Sequence, residues 1–534
     1  MLTRAGSVAG SAAAALRVLA RAGLLAPVRP DRLPGMAMAV ARYGLTPTAA
    51  FVAGAARHGD RVAIVDDSGP TTYAELDARS NAAAHALHDA GIAAGDRVAL
   101  LARNSVEFLL ALIALGKLGA TVVHLNTGFA GPALARALDD ERVAAVVHDR
   151  EFADLVAESV RDRTGITTED LTADANDDRT PLPAPGTHGG QVILTSGTTG
   201  QAKGAERGAP AGLGGLESLT ALLSAIPLRA GEPTVLAAPM FHTWGFAHLV
   251  VGGLLGSTLV VRRRFDAAAT VADLAEHNAT ALAVVPVMLQ RIVDLPADEL
   301  AKHDTSALRV VACSGSALPV DVARRFAEAF GDVIYNLYGS TEVAYATVAT
   351  PSDLREAPGT VGRPLRGAVV RLFDEQGNDV AAGETGRIFV GNPMTFQGYT
   401  SGGDKDRVDG LVATGDIGRF DEAGRLTVEG RDDDMIVSGG ENIFPAQVEE
   451  LLLAHSDVAD VAVVGVPDEQ FGARLVAHVV ATTGRDLDTD ALRGHVRENL
   501  GRIYVPREIV LHDELPRNAT GKVVKRDLRQ SADT

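Results

Sequence analysis

Short apolar runs alternate with longer amphipathic stretches over the first two thirds of the chain. Val62-Ala-Ile-Val65, Val98-Ala-Leu-Leu101, Thr121-Val-Val-His124 and Val143 to His148 are β-rich runs. Tyr73 to Leu87 and Val106 to Leu118 between them carry helical periodicity, with Asn104 or Ser105 able to cap the second and Gly119 able to close it. Strands that alternate with helices predict βαβ units around a mainly parallel sheet. Leu171 to Gly190, rich in Asp, Thr, Pro and Gly, reads as a surface connection. The alternation resumes through Val192, Thr234 to Ala237, Leu259 to Val261, Leu282 to Val285, Val310 to Ser314 and Val333 to Leu337. From Val369 to Val428 the runs shorten and glycine punctuates them, which predicts a small β-barrel. Beyond Met435 strands such as Val461 to Val464 and Leu475 to Val480 mix with helices such as Pro445 to Leu453, a compact α+β pattern. The predicted class is α/β, in a large domain over residues 1–430 and a small α+β domain over 431–534.

Composition narrows the function. The chain has 534 residues, enough for several cores, and 46% of them are hydrophobic. Its formal net charge of −18 argues against nucleic acid or another polyanion as a partner. The single cysteine, Cys313, excludes an internal disulfide, fits a reducing cytoplasmic setting and reads as a small buried apolar residue. Ser7 to Leu25 is Ala/Leu-rich like a signal peptide, but Arg17 and Arg21 interrupt it, so it is too short to span a membrane. Val8, Ala12, Leu16 and Leu19 fall on one helical face, which allows weak membrane contact. A homodimer is compatible with the sequence.

Candidate chemistry begins at Thr195-Ser-Gly-Thr-Thr-Gly-Gln-Ala-Lys-Gly204, which follows the apolar run Gln191 to Leu194. Gly197, Gly200 and Gly204 let the backbone approach an anion. Thr195, Ser196, Thr198 and Thr199 supply hydroxyl groups, and Lys203 supplies a mobile positive charge. The spacing differs from the Walker pattern, because Gln201 and Ala202 separate Gly200 from the lysine. Four polar, glycine-bearing segments follow in order: Asn336-Leu-Tyr-Gly-Ser-Thr-Glu342, Thr414-Gly-Asp416, Gly430-Arg-Asp-Asp-Asp434 and Pro516-Arg-Asn-Ala-Thr-Gly-Lys522.

Together these five motifs resemble those of the acyl-adenylate-forming superfamily of acyl-CoA synthetases, adenylation domains and luciferases. The resemblance runs from about Val62 to Arg526, and the chain's overall look is similar to actinobacterial fatty acyl-CoA synthetases. It implies two α/β subdomains and a small β-barrel before a mobile lid, with ATP, Mg²⁺ and coenzyme A as cofactors. By resemblance the first loop holds the β- and γ-phosphates, Thr341 bonds phosphate oxygens and Glu342 binds Mg²⁺. Tyr338, followed by Gly339 and Ser340, stacks on adenine, Gly315, Ser316 and Ala317 cover its other face, and Asn336 bonds the exocyclic amine. Asp416 and Arg431 reach the ribose. Lys522 is the main catalytic residue of adenylation, and Lys525 is a surface lysine. The lid pivots at Asp433, after which Ser438, Gly439 and Gly440 line a pantetheine tunnel. The loop departs from the family pattern at Ala202, where proline is common.

The acid's pocket is placed by resemblance at Pro239-Met-Phe-His-Thr-Trp-Gly245. His242 is the candidate beside the substrate carboxylate, with Trp244, Phe246, Val287, Met288 and Gly315 as walls; a structural histidine is the competing reading. These walls imply a hydrophobic small-molecule acid, fatty or of the bulky natural-product kind. The alternatives are a free-standing ligase that loads a separate carrier protein and a catalytically silent ligand-binding protein.

Overall fold

The computed structural model describes residues 13–129, 131–160, 163–172, 178–196, 202–207, 213–396, 398–400, 402, 404–432, 436–438, 441–468, 472–485, 487–500, 502–518 and 521–531. Two large sheets dominate. The first has nine strands among the described residues. In spatial order they are Arg363–Pro364, Thr347–Ala349, Ile334–Tyr338, Val310–Cys313, Ala281–Val284, Thr234–Leu236, Leu259–Val260, Val62–Asp66 and Gly69–Thr72. The second has six: Thr164–Thr167, Ala145–His148, Arg97–Leu101, Thr121–His124, Gln191–Ser196 and Ala202–Arg207. Their central strands run parallel, as alternation with helices requires.

The helix Val106–Leu118 shows why the sheets stack. Ser105 caps it by accepting from the Phe108 amide, and Gly119 closes it in the left-handed conformation. Eleven of its thirteen residues are buried, so it is the shared layer of one large core rather than a surface helix. Lys117 is buried in it and satisfied by Asp77, Ser80 and Asn81, with Nζ 2.6 Å from Asp77 Oδ1 and 2.6 Å from Asn81 Oδ1.

Strands Val369–Phe373, Gly386–Gly391, Arg407–Val408, Leu411–Phe420 and Leu426–Arg431 form a five-stranded antiparallel sheet. The last hundred residues build a separate small core around Val458–Asp468, Gly472–Ala481 and Glu508–His512, backed by Pro445–Leu453 and Thr489–Asn499. Near the N-terminus residues 13–21 are helical, but Val18 and Ala22, not Leu16, face the core. Leu16 is 56% exposed because the strand-forming core begins only at Val62 and offers this helix one narrow contact. Val8 and Ala12 lie outside the described residues. Among the described residues no helix is long and apolar enough to cross a membrane.

Three buried histidines make the fold acid-sensitive. Burial holds His124, His248 and His478 each at a pKa of about 4, with His512 adding to the shift at His478. Their unfolded values lie near 6.5. Between pH 6.5 and 4 the unfolded chain therefore binds more protons than the native one, and stability falls as pH falls. We expect the thermal midpoint to drop between pH 7.5 and pH 5; equal midpoints would contradict this account.

Candidate active site

A cavity of about 1610 Å³ opens where the carboxyl ends of the nine-stranded sheet meet the small sheet and the C-terminal unit. This is the crevice in which parallel α/β sheets bind ligands, because each strand ends there in a loop free to carry chemistry.

At one end lies a polar slot. Asn336 comes from the strand Ile334–Tyr338 and is 5% exposed, and its Oδ1 is buried with no hydrogen-bond partner. Such an orphan acceptor is rare in a native interior and marks a place for an incoming donor. Tyr338, two residues on along the same strand, donates its hydroxyl proton to Asp416 Oδ2 at 2.6 Å and lies 3.1 Å from Thr414 Oγ1. Burial and the facing Asp416 carboxylate push the Tyr338 phenol well above its usual range, so it stays a donor. Asp416 Oδ1 takes Arg431 Nη1 at 3.3 Å across the antiparallel pair Leu411–Phe420 and Leu426–Arg431. Gly415 sits at φ 84° with the Arg431 guanidinium directly above it; any side chain there would meet that group at about 3.0 Å. Gly315, Ser316 and Ala317 line the same slot, with Gly315 at φ 106°.

Glu342 lies farther in. Tyr399 donates to its Oε1 at 2.8 Å, and Ser340 bonds it as well. Burial alone would raise the Glu342 carboxyl, but the bonds from Ser340 and Tyr399 outweigh it and hold the group below its ordinary value. An ionised carboxylate in a partly enclosed cavity is the hard oxygen donor that Mg²⁺ takes. Thr341 is beside it, 3.3 Å from the Thr243 hydroxyl. Gly339 is required here by close approach, since a Cβ would stand 2.5 Å from the Ala344 carbonyl oxygen.

The strands Gln191–Ser196 and Ala202–Arg207 form an antiparallel hairpin, so Thr195, Ser196 and Lys203 occupy the paired strands that lead into and out of the first motif. Gly197, Thr198, Thr199 and Gly200 lie outside the described residues, as do Asp433, Gly439 and Gly440. Ser438 ends the strand Ile436–Ser438, which pairs with Glu441–Ile443. Gly204 is not a turn residue. It sits within its strand because a Cβ would strike Glu141 Oε1 and Thr400 Oγ1.

Lys522 enters the cavity from the C-terminal unit. The loop that carries it is a tight hairpin: Asn518 Oδ1 accepts the Lys522 N–H at 3.0 Å, and Arg517 holds the Gly521 carbonyl at 2.6 Å. Gly521, at φ 82°, meets Val287, where a Cβ would lie 2.6 Å from the valine methyl. Lys522 is exposed to the cavity yet walled in by protein. That burial lowers its pKa, Asp416 and Glu342 pull it back up, and Arg431 lowers it further. Gln290 fixes the approach by donating to the Ala459 carbonyl at 2.9 Å. Lys525 is not a free surface group; its ammonium reaches Glu449 at 2.8 Å, because the helices Lys525–Ser531 and Pro445–Leu453 both pack on the strand Val458–Asp468.

His242, the residue before helix Thr243–Leu255, lines the same cavity, and its neighbour Thr243 meets the Thr341 hydroxyl. Burial, with Lys522 nearby, holds it at a pKa of about 4, so it is a neutral imidazole at physiological pH. From there the cavity runs along Thr243–Leu255 past Phe246, Val250 and Leu254, and its far wall is Ala49, Ala50 and Ala53 of helix Pro47–His58. Twelve residues of helix separate His242 from Leu254, about 18 Å of depth. Trp244 is 6% exposed, its indole N–H donating to Val284 and Ala312 carbonyls at 3.1 and 3.3 Å, so only an edge of the ring reaches the cavity. Val287 and Phe246 line it as expected, but Met288 does not. It faces the hydrophobic core behind the sheet, because one residue of helix Pro286–Val293 turns the side chain about 100° away from Val287.

No pattern in the sequence marked Tyr399 or the Pro47–His58 wall. Tyr399 follows a glycine in an irregular segment without periodicity, and the alanines of 47–58 look like any apolar helix.

Residues 51–400 match the AMP-binding enzyme family and residues 447–522 match its C-terminal domain. A feruloyl-CoA synthase from Amycolatopsis is 34% identical over 86% of this chain and 93% of its own. An indoleacetate–CoA ligase from Aromatoleum aromaticum is 34% identical over 86% of this chain and 92% of its own. The solved structure of an amide bond synthetase from Marinactinospora thermotolerans superposes with a TM-score of 0.78 at 29% identity, over 88% of this chain and 97% of that one. With a mixed α/β architecture and two matching family regions, the chain belongs to the AMP-binding enzyme family and is an ATP-dependent, AMP-forming acid–CoA ligase whose cofactors are ATP, Mg²⁺ and CoA.

Proposed function

We propose that this ligase activates a hydrophobic carboxylic acid, fatty or ring-bearing, as its acyl-adenylate and passes the acyl group to CoA. The observation that carries this reading is the apolar branch between helices Pro47–His58 and Thr243–Leu255, lined by small alanines on one side and by Val250 and Leu254 on the other. A channel of that depth and polarity recovers the transfer free energy of the acid's carbon skeleton and offers little to a short polar acid. Feruloyl and indoleacetyl groups, which two relatives are named for, are both aromatic, consistent with a channel that takes a ring.

In this reading Asn336 Oδ1 accepts from the adenine amine, Tyr338 flanks the base against Gly315, Ser316 and Ala317, and Asp416 takes the ribose hydroxyls with Arg431 alongside. Mg²⁺, held by Glu342, supplies charge neutralisation at the phosphates; Thr341 and the first loop, with Thr198, Thr199 and Lys203, bind their oxygens. Neutral His242 and cationic Lys522 face the acid's carboxylate, whose oxygen attacks the α-phosphorus while the bond to pyrophosphate breaks. Lys522 stabilises the charge that gathers there. The lid, residues 431–534, then turns about Asp433, withdrawing Lys522 and bringing Ser438, Gly439 and Gly440 to a pantetheine channel. The CoA thiolate adds to the acyl carbon and AMP leaves with the shared electron pair. The exposed apolar residues Leu25, Leu33, Met38 and Leu45 support weak membrane contact near the mouth of the cavity.

ATP–pyrophosphate exchange across a panel of acids tests the acid class. Medium-chain fatty acids and arylalkanoic or arylacrylic acids should exceed acetate and malonate by at least about a hundredfold in kcat/KM, the worth of about three to four buried methylenes. Preference for acetate or malonate would overturn the reading.

A further inference from the structure

Beside Phe246 the wall of the channel carries a polar side chain that the reaction does not use. Gln191, the first residue of strand Gln191–Ser196, lines the cavity. Its Oε1 lies 2.8 Å from His124 Nε2. His124 is 1% exposed, 5.9 Å from Phe108 in a near-parallel stack and 4.8 Å from the Phe246 ring. Its Nδ1 is buried without a partner.

These contacts fix the direction of the amide. Burial holds His124 neutral, so it carries one N–H. With the proton on Nδ1 the ring would bury an unpaired donor, whereas with the proton on Nε2 it buries only a bare lone pair. An orphaned N–H is the costlier of the two. Nε2 therefore donates to Gln191 Oε1, and the Gln191 NH₂, which has no protein partner among the described residues, is left for the cavity. A strand residue held from behind by a packed imidazole is a preorganised donor, since little side-chain entropy is left to lose on binding.

We propose that Gln191 is a specificity-determining residue: positioned by His124, it donates a hydrogen bond to an acceptor oxygen (carbonyl, ether or phenolic) borne by the acid near the level of Phe246, about one helical turn beyond His242. The proposal rests on the hydrophobic-acid reading and refines it to hydrophobic acids that carry one oxygen substituent. A plain hydrocarbon acid leaves the amide donor unpaired in an apolar wall, which lowers its kcat/KM relative to an oxygen-bearing acid of the same size.

The test uses matched pairs of arylacrylic and arylalkanoic acids in which a methoxy group replaces an ethyl group at successive ring positions. Wild-type enzyme should favour the methoxy acid at one position by about tenfold in kcat/KM, the worth of one hydrogen bond in a dry site. Gln191→Leu should abolish that preference, with the ethyl acid used at least as well as by the wild type and the KM for ATP unchanged. His124→Phe keeps the ring stack but releases the amide, so it should weaken the preference at the same position without moving it. Equal use of both members of every pair by the wild type, or a preference that survives Gln191→Leu, would overturn the proposal. Pyrophosphate exchange with neither member of any pair would overturn the hydrophobic-acid reading instead.

Discussion

Lys522→Ala is expected to reduce acyl-adenylate formation by about 10²–10³-fold while sparing the thioester step when acyl-AMP is supplied. Lys522 lines the cavity, with its N–H bonded to Asn518, the neighbouring Gly521 carbonyl held by Arg517 and Gly521 against Val287. Burial lowers its pKa, and the Asp416 and Glu342 carboxylates act in the opposite direction. Two anions, the acid and the triphosphate, must meet at this point, and no other described lysine of the C-terminal unit lines the cavity without being committed to an ion pair. Pre-steady-state pyrophosphate release and acyl transfer from synthetic acyl-AMP separate the two steps. Equal losses in both would remove Lys522 from the adenylation role.

Asp416→Ala should raise the KM for ATP by about a hundredfold and leave the ranking of acids unchanged. Hydrogen bonds to a charged group contribute about 1.5–3 kcal/mol each, and a tenfold change in affinity is about 1.4 kcal/mol. Tyr338 and Arg431 hold the carboxylate, so protein groups set its orientation. Tyr338→Phe removes one of those orienting bonds without removing the carboxylate, and a change of only a few-fold is expected. An altered acid ranking with unchanged ATP affinity would place Asp416 in the acyl channel.

The polar half of the site was legible in the sequence because phosphate and ribose recognition demand particular residue types in fixed order. Asn336, Tyr338, Glu342, Asp416, Arg431 and Lys522 all line one cavity, although 185 residues lie between the first and the last. The parallel sheets were legible for a similar reason, since the strand and helix periods alternate along the chain. The apolar half was not. Whether an apolar side chain faces a core or a channel depends on a rotation of about 100° per helical residue, and Val287 and Met288 differ by just that. Gly204 looked like part of the phosphate turn, but its small size answers the crowding of Glu141 and Thr400. Gln191 was read only as the lead-in to a motif, because its meaning comes from His124, sixty-seven residues away in sequence and on the neighbouring parallel strand.

Two-step synthesis of a hydrophobic acid's thioester, as proposed for this cavity, leaves a direct signature in the time course of its products. Its most direct test is a single mass-spectrometric measurement: purified enzyme with ATP, Mg²⁺, CoA and the best-activated arylacrylic or medium-chain fatty acid, quenched over time. The account predicts acyl-CoA and AMP accumulating in equal amounts, with acyl-AMP only as a transient. Accumulated acyl-AMP with no acyl-CoA from any activated acid would contradict it.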